Sequence, residues 1–161
     1  MILRRLSLRA HSRAELARAL TAKGIDPEVQ QELLDRFEEL DLVGDQEFAE
    51  QWVESRHRSR GLSRRALAEE LRRKGIDADL VTAATSTLDR DDEVRTATAV
   101  AQRKLRSMAS VSNPVVVRRR LSAALARRGY GTDVALQVVN DVLSDRGQED
   151  EGDAPDHGHY E

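Results

Sequence analysis

The chain has 161 residues, 39% of them apolar and 34% charged, with five aromatics, no cysteine and a formal net charge of −3. That composition excludes disulfides and thiolate chemistry, and it suits small amphipathic helices better than a β-sandwich. No apolar run approaches the roughly 20 residues of a membrane span, and MILRRLSLRAHS interrupts its leucines with arginines, unlike a secretory signal; the expectation is a soluble cytoplasmic protein with no membrane partner.

In chain order, the first strong signal is Ser12-Arg13-Ala14-Glu15, a capping box that opens a helix. Leu16 and Leu20 form its buried stripe, and Lys23-Gly24 closes it: a glycine takes the left-handed cap, and the cation suits the negative helix end. Asp26-Pro27 starts a second helix, with Val29, Leu33, Leu34, Phe37 and Leu40 as its apolar stripe. Asp45 opens a third, in which Phe48, Ala49, Trp52 and Val53 make the expected buried face and Gly61 the stop.

The pattern then recurs. LTAKGIDPEV from Leu20, LRRKGIDADL from Leu71 and LARRGYGTDV from Leu125 are spaced by 51 and 54 residues. Ser63 occupies the position of Ser12, and Leu67 and Leu71 that of Leu16 and Leu20. A helix with Leu80, Val81, Ala84 and Leu88 follows Gly75, and one with Val94, Ala97, Ala101 and Leu105 spans 89–107. Asn113-Pro114 opens the third copy, with Leu121, Leu125, Gly129 and then Val134, Val138, Val139 and Val142. Ile25, Ile76 and Tyr130 each fit the apolar contact behind the glycine cap.

The expected fold is therefore all-α, an elongated array of tandem three-helix repeats. Repeat 1 covers 1–61, repeat 2 covers 62–107, and repeat 3 covers 113–145 and lacks a third helix. SMASVSN (107–113) is the candidate flexible joint, and 146–161 is expected to be a disordered acidic tail.

No P-loop, dinucleotide loop or catalytic set is present, so an enzyme is not expected, nor a cofactor or metal site. His11 and His57 read as solvated, and His157 and His159 fall in the tail. Trp52, Phe37 and Phe48 read as core, which leaves nothing to stack a series of bases. Gln30 and Gln31 are the nearest candidates for base readout, but they lie in an acidic repeat, which argues against operator binding.

Charge carries the remaining signal. Residues 1–55 balance to −5, residues 56–130 to +10 and residues 131–161 to −8. In the middle block arginine outnumbers lysine 16 to 2, the better fork for phosphate and carboxylate. Arg58, Arg60, Arg64, Arg65, Arg72, Arg73, Arg120 and Arg127 are the candidate contact residues. Arg65, Arg72 and Arg73 share one helix face, as do Arg120 and Arg127, whereas Arg118, Arg119 and Arg120 point about 100° apart. The competing reading is that these arginines only solubilise helices.

Ser12 to Leu16, Lys23-Gly24, LVGDQEFAEQWVESR (42–56), Arg65-Ala66-Leu67, Leu71 to Ile76 and Leu125 to Gly131 together resemble the RecX family, over residues 2–143. Asp45–Arg56 is the most specific part. Members of this family usually carry more residues before the first Ser-x-x-Glu-Leu; here eleven precede Ser12, although Ile2, Leu3, Leu6 and Ala10 still read as one helix stripe. The resemblance implies a monomeric regulator of the RecA recombinase. Such proteins bind the RecA–DNA filament, suppress its ATPase and strand exchange, and so restrain recombination and the SOS response. Two mechanisms are usual: lying in the filament groove, or blocking filament growth. Weak non-specific binding to single- or double-stranded DNA is a further expected interaction. A sequence-independent DNA-binding helical module is the alternative, and a plain interaction scaffold the third reading.

Overall fold

The computed structural model describes residues 10–152. Among them are eight helices: α1 (Arg13–Thr21), α2 (Pro27–Glu39), α3 (Asp45–Arg60), α4 (Arg64–Arg73), α5 (Ala78–Thr85), α6 (Arg90–Arg106), α7 (Pro114–Ala126) and α8 (Thr132–Gly152). The chain divides into two compact units, broken between Asp89 and Arg90. The stripe at Ile2, Leu3 and Leu6 lies outside the described residues, and Ala10 is exposed.

Local chemistry sets the helix ends. Ser12 accepts from the Glu15 amide while the Glu15 carboxylate accepts from the Ser12 amide, both at 3.2 Å. Asp26, Ser63 and Asn113 accept from the first free amides of α2, α4 and α7, and such caps contribute about 0.5–2 kcal/mol each. At the other ends Gly24, Gly75 and Gly129 all have positive φ. The following amide then returns to a carbonyl five residues back, Ile76 to Leu71 and Tyr130 to Leu125 among them. Ile76 and Tyr130 are buried as the cap contact requires, but Ile25 is 38% exposed.

Three apolar clusters hold the helices together. Leu16, Leu20, Leu34 and Val43 join α1 to α2. Phe48, Val53, Leu67, Leu71, Ile76 and Val81 join α3, α4 and α5. In the second unit Ala97, Ala101, Leu121, Leu125, Val138 and Val139 join α6, α7 and α8.

This packing phases the repeat differently from the sequence reading. The long helices α3 and α6 each group with the helix pair that follows them, not the pair that precedes them. The last group is therefore a complete set of three helices, and α6 belongs to it rather than to residues 62–89. Residues 107–113 are no joint either: Met108 is 3% exposed inside the same cluster, so the segment is held within the second unit. The physical reason is that an apolar stripe specifies a buried face without specifying the neighbour. The small residues Ala97 and Ala101 let α7 and α8 approach closely. Nor is 146–161 unstructured throughout, because α8 continues past Asp145 to Gly152. Adding residues to an existing helix needs no new nucleus, so buried apolar side chains are not required there. His157 and His159 lie outside the described residues.

In α2 the expected stripe is partly wrong. Leu34 is buried and Leu33 and Phe37 are half-buried, but Val29 and Leu40 are exposed. Gln30 takes the inward place: its amide donates to the Ile25 carbonyl at 2.8 Å and its oxygen accepts from Thr21 at 3.2 Å. A glutamine committed to that turn does not read bases.

Within the first unit, α1 is pinned by polar contacts at its N-terminus. The Arg13 amide donates to Asp45 at the start of α3, at 2.9 Å. The Ser12 hydroxyl donates to the Lys74 carbonyl at 2.7 Å, and the Lys74 ammonium meets Glu15 at 2.5 Å. The Arg13 guanidinium pairs with Asp35 and Glu38 of α2 at 2.5 and 2.6 Å. Burial opposes its charge, but the two carboxylates outweigh that and raise its pKa.

Asp45 is the reverse case. Burial raises its pKa by more than the Arg13 amide lowers it. Its charge is thus disfavoured by folding at neutral pH, and the penalty is relieved as pH falls through the raised pKa. Asp45→Asn keeps an acceptor and removes that penalty, at the loss of a favourable charge at a helix start. Its stability should stay within about 0.5 kcal/mol of the parent at pH 7. Asp45→Ala strands the Arg13 amide and should cost about 1–3 kcal/mol. Urea titrations of both variants at pH 7 and pH 4 measure this; an Asn variant as weak as the Ala variant contradicts it.

Candidate functional site

The arginine-rich surface of the first unit is built around one tight turn. Gly61 closes α3 with φ +62, and two residues later Ser63 caps α4. The link is too short to separate the helix ends, so the last turn of α3, with Arg58 and Arg60, adjoins the first turn of α4, with Arg64 and Arg65. All four side chains are exposed. His57 braces the turn, its Nδ1 2.8 Å from the Leu62 carbonyl oxygen. It is half-buried, not solvated as the sequence had suggested. His11 is also inside, 7% exposed, with Nδ1 3.4 Å from the Glu15 carboxylate.

The placement of Arg64 and Arg65 is informative. They sit in the first turn of α4, which contains no acid. A cation at the positive end of a helix costs about 0.3–1 kcal/mol, so local helix stability does not explain them. Arg72 and Arg73 stand in the last turn, where the dipole favours them. Both also approach Glu69, at 3.6 and 3.8 Å. Arg58 pairs with Glu54 one turn back at 2.5 Å. About 12 Å of helix separates the two ends of α4, at 1.5 Å per residue over eight residues.

On the second unit Arg120, in the middle of α7, and Arg127, its C-cap residue, are both exposed, about two turns apart. Their neighbour Arg118 instead donates to Asn140 of α8 at 2.6 Å. The eight candidate arginines therefore comprise six on the first unit and two on the second.

One part of this surface was not visible as such in the sequence. Trp52 is half-buried rather than core. Its ring stacks on Phe48 at 5.5 Å between centroids, and its Nε1 donates to Glu70 at 2.8 Å. The Arg56 guanidinium lies 4.3 Å from the ring centroid and the Lys74 ammonium 4.7 Å. The i, i+4 spacing of Trp52 and Arg56 was the available signal. A groove of about 430 Å³ runs beside them, lined by Ala10, Phe48, Gln51, Trp52, Ser55, Arg56, Ser59 and Arg60. A second groove, of about 490 Å³, lies on the second unit between Val115, Arg118, Leu143 and Arg146. Among the described residues no cluster of acids and histidines has the arrangement of a metal site, and no helix is long and apolar enough to cross a membrane.

Known proteins with related sequences agree with this architecture. Three RecX family models match: the first three-helix domain at residues 1–37, the second at 45–84 and the third at 91–139. Those spans start the second and third domains at α3 and α6, the phase seen in the packing. Regulatory protein RecX of Streptomyces coelicolor is 45% identical over 149 residues, covering 92% of this chain and 79% of that protein. Regulatory protein RecX of Thermobifida fusca is 44% identical over 157 residues, covering 97% and 84%. The crystal structure of RecX from Lactobacillus salivarius superposes with a TM-score of 0.75 at 19% identity, covering 88% of this chain and 92% of that one, a likeness of fold. With all three domain models matched in order and relatives this similar along most of their length, the chain belongs to the RecX family.

Proposed function

We propose that this protein regulates RecA by binding the RecA–DNA filament, suppressing its ATPase and strand exchange and so restraining recombination and the SOS response in the cytoplasm. The observation that carries the reading is the exposed arginine set of the first unit, with Arg64 and Arg65 held at a helix start that disfavours them. Family membership and the regulatory naming of the relatives support it. A filament presents both phosphates and protein acids, and arginine binds either bidentately. The protein acts by occupancy rather than by catalysis.

The test is the DNA-dependent ATPase of RecA at rising concentrations of this protein. The rate should fall to a low plateau. An unchanged rate at saturating protein removes the RecA reading. If the protein then still binds DNA of unrelated sequences with equal affinity, it is a sequence-independent DNA-binding module. That second reading has the same arginines in its favour, and Gln30, withdrawn into the α1–α2 turn, argues against base readout.

A further inference from the structure

The α3 groove has the makings of a nucleotide subsite. Two parallel rows of side chains run along the helix, each at i, i+4, i+8. Gln51, Ser55 and Ser59 form one row, all exposed hydrogen-bonding groups. Trp52, Arg56 and Arg60 form the other: an aromatic ring, a guanidinium packed on it, and a second guanidinium one turn on, about 6 Å further along the helix. The acids beside the rows are engaged, since Glu54 pairs with Arg58 and Glu70 accepts from Trp52. Glu70 keeps its negative charge, since an indole N–H does not neutralise a carboxylate, and the cations that line the groove itself are Arg56 and Arg60.

We propose that this groove binds one nucleotide unit of a single DNA strand. The phosphate lies between Arg56 and Arg60, with hydrogen bonds from Ser55 and Ser59. The base packs against the Trp52–Arg56 stack. Three properties point to a nucleotide rather than a bare anion or an acidic peptide. The apolar wall of Phe48 and Trp52 adjoins the cations. The half-buried Arg56 guanidinium, 4.3 Å from the indole centroid, and the ring itself offer stacking groups for a base. The volume of about 430 Å³ lies in the range of small-ligand sites. This inference deepens the filament-binding reading and rests on it for the source of the strand.

Trp52 is the sole tryptophan of the chain, so its fluorescence reports the groove directly. The experiment titrates the full chain, without RecA, with the oligonucleotide (dT)8, with an abasic octamer of equal charge, and with an octa-aspartate peptide. Expected is saturable quenching by (dT)8, with less than about half that amplitude from the abasic strand. Arg56→Gln should weaken (dT)8 binding about tenfold and flatten the salt dependence by about 0.7 in log–log slope. Ser59→Glu should weaken binding as well, with an unchanged circular dichroism spectrum for both variants. Three results each overturn the proposal: (dT)8 binding, followed by anisotropy, that leaves Trp52 fluorescence unchanged; octa-aspartate quenching as deep as that of (dT)8; or Arg56→Gln and Ser59→Glu both binding like the parent. Because RecA is absent, failure here leaves the ATPase test untouched, and intact quenching with no effect on RecA fails the regulatory reading alone.

Discussion

Gly75→Val should lower the stability of the first unit by about 2–5 kcal/mol. Two independent effects combine. Gly75 has φ +79, where a β-branched side chain costs about 1–2 kcal/mol or more. A Cβ at this position also falls 2.4 Å from the Cβ of Ala14, on the helix that docks there. Relieving such an overlap moves α1, at a typical cost of about 1–3 kcal/mol. The same motion pulls at the Ser12–Lys74 and Glu15–Lys74 contacts on either side. For a unit of this size the shift in melting temperature should be roughly 10 °C or more.

Gly24 provides the control. Its φ is +71, but nothing lies within 4 Å of an added Cβ. Gly24→Val should therefore show the backbone effect alone, and the difference between the two variants isolates the contact. Ala14→Gly in the Gly75→Val background should return part of the loss, a coupling of the kind neighbouring residues show. Equal losses at the two glycines, measured by urea denaturation, remove the close approach of Ala14 from the account.

Reversal of Arg65, Arg72 and Arg73 to glutamate should abolish most of the effect on RecA while leaving the protein folded. The three side chains are exposed and lie off the Leu67–Leu71 stripe. The fold does pay something, because two new acids then face Glu69 and the negative end of α4. Like charges at these spacings cost about 0.2–0.5 kcal/mol a pair, and the dipole about 0.3–1 kcal/mol a residue. Circular dichroism and urea denaturation of the triple variant check that this stays tolerable, and a triple glutamine variant removes the cations without adding acids.

On DNA, three lost phosphate contacts should flatten the slope of log affinity against log salt by roughly 2–3 units. Loss of RecA inhibition with an unchanged salt slope places these arginines against protein acids and favours docking in the filament groove. Undiminished inhibition by the triple variant makes this end of α4 solvated surface. The search for the active surface then moves to Arg120 and Arg127 on α7.

The helix ends were legible because they are written in short range. Ser12, Asp26, Ser63 and Asn113 satisfy amides two or three residues away, and the glycines at 24, 75 and 129 close turns over five residues. Such interactions need no knowledge of the rest of the chain. The repeat follows from them, since each copy carries the same start and stop, and so does the reading of eight exposed arginines, none of which falls on an apolar stripe.

What the tertiary structure alone decided is which face meets which neighbour. A stripe such as Ala97–Ala101 says that α6 is buried on one side; only packing shows that α7 and α8 cover it, and so sets the phase of the repeat. Trp52 sits on a stripe too, but it stands at the edge of its cluster, where Glu70, Lys74 and Arg56 reach it from 4 to 22 residues away in sequence. His11 read as solvated from the sequence, whereas it is buried beside Glu15, whose carboxylate also meets Lys74 some sixty residues on. Helical periodicity fixes the direction of a side chain about its own axis. The partner in that direction is chosen by close packing between segments distant in sequence, as where Gly75 leaves room for Ala14.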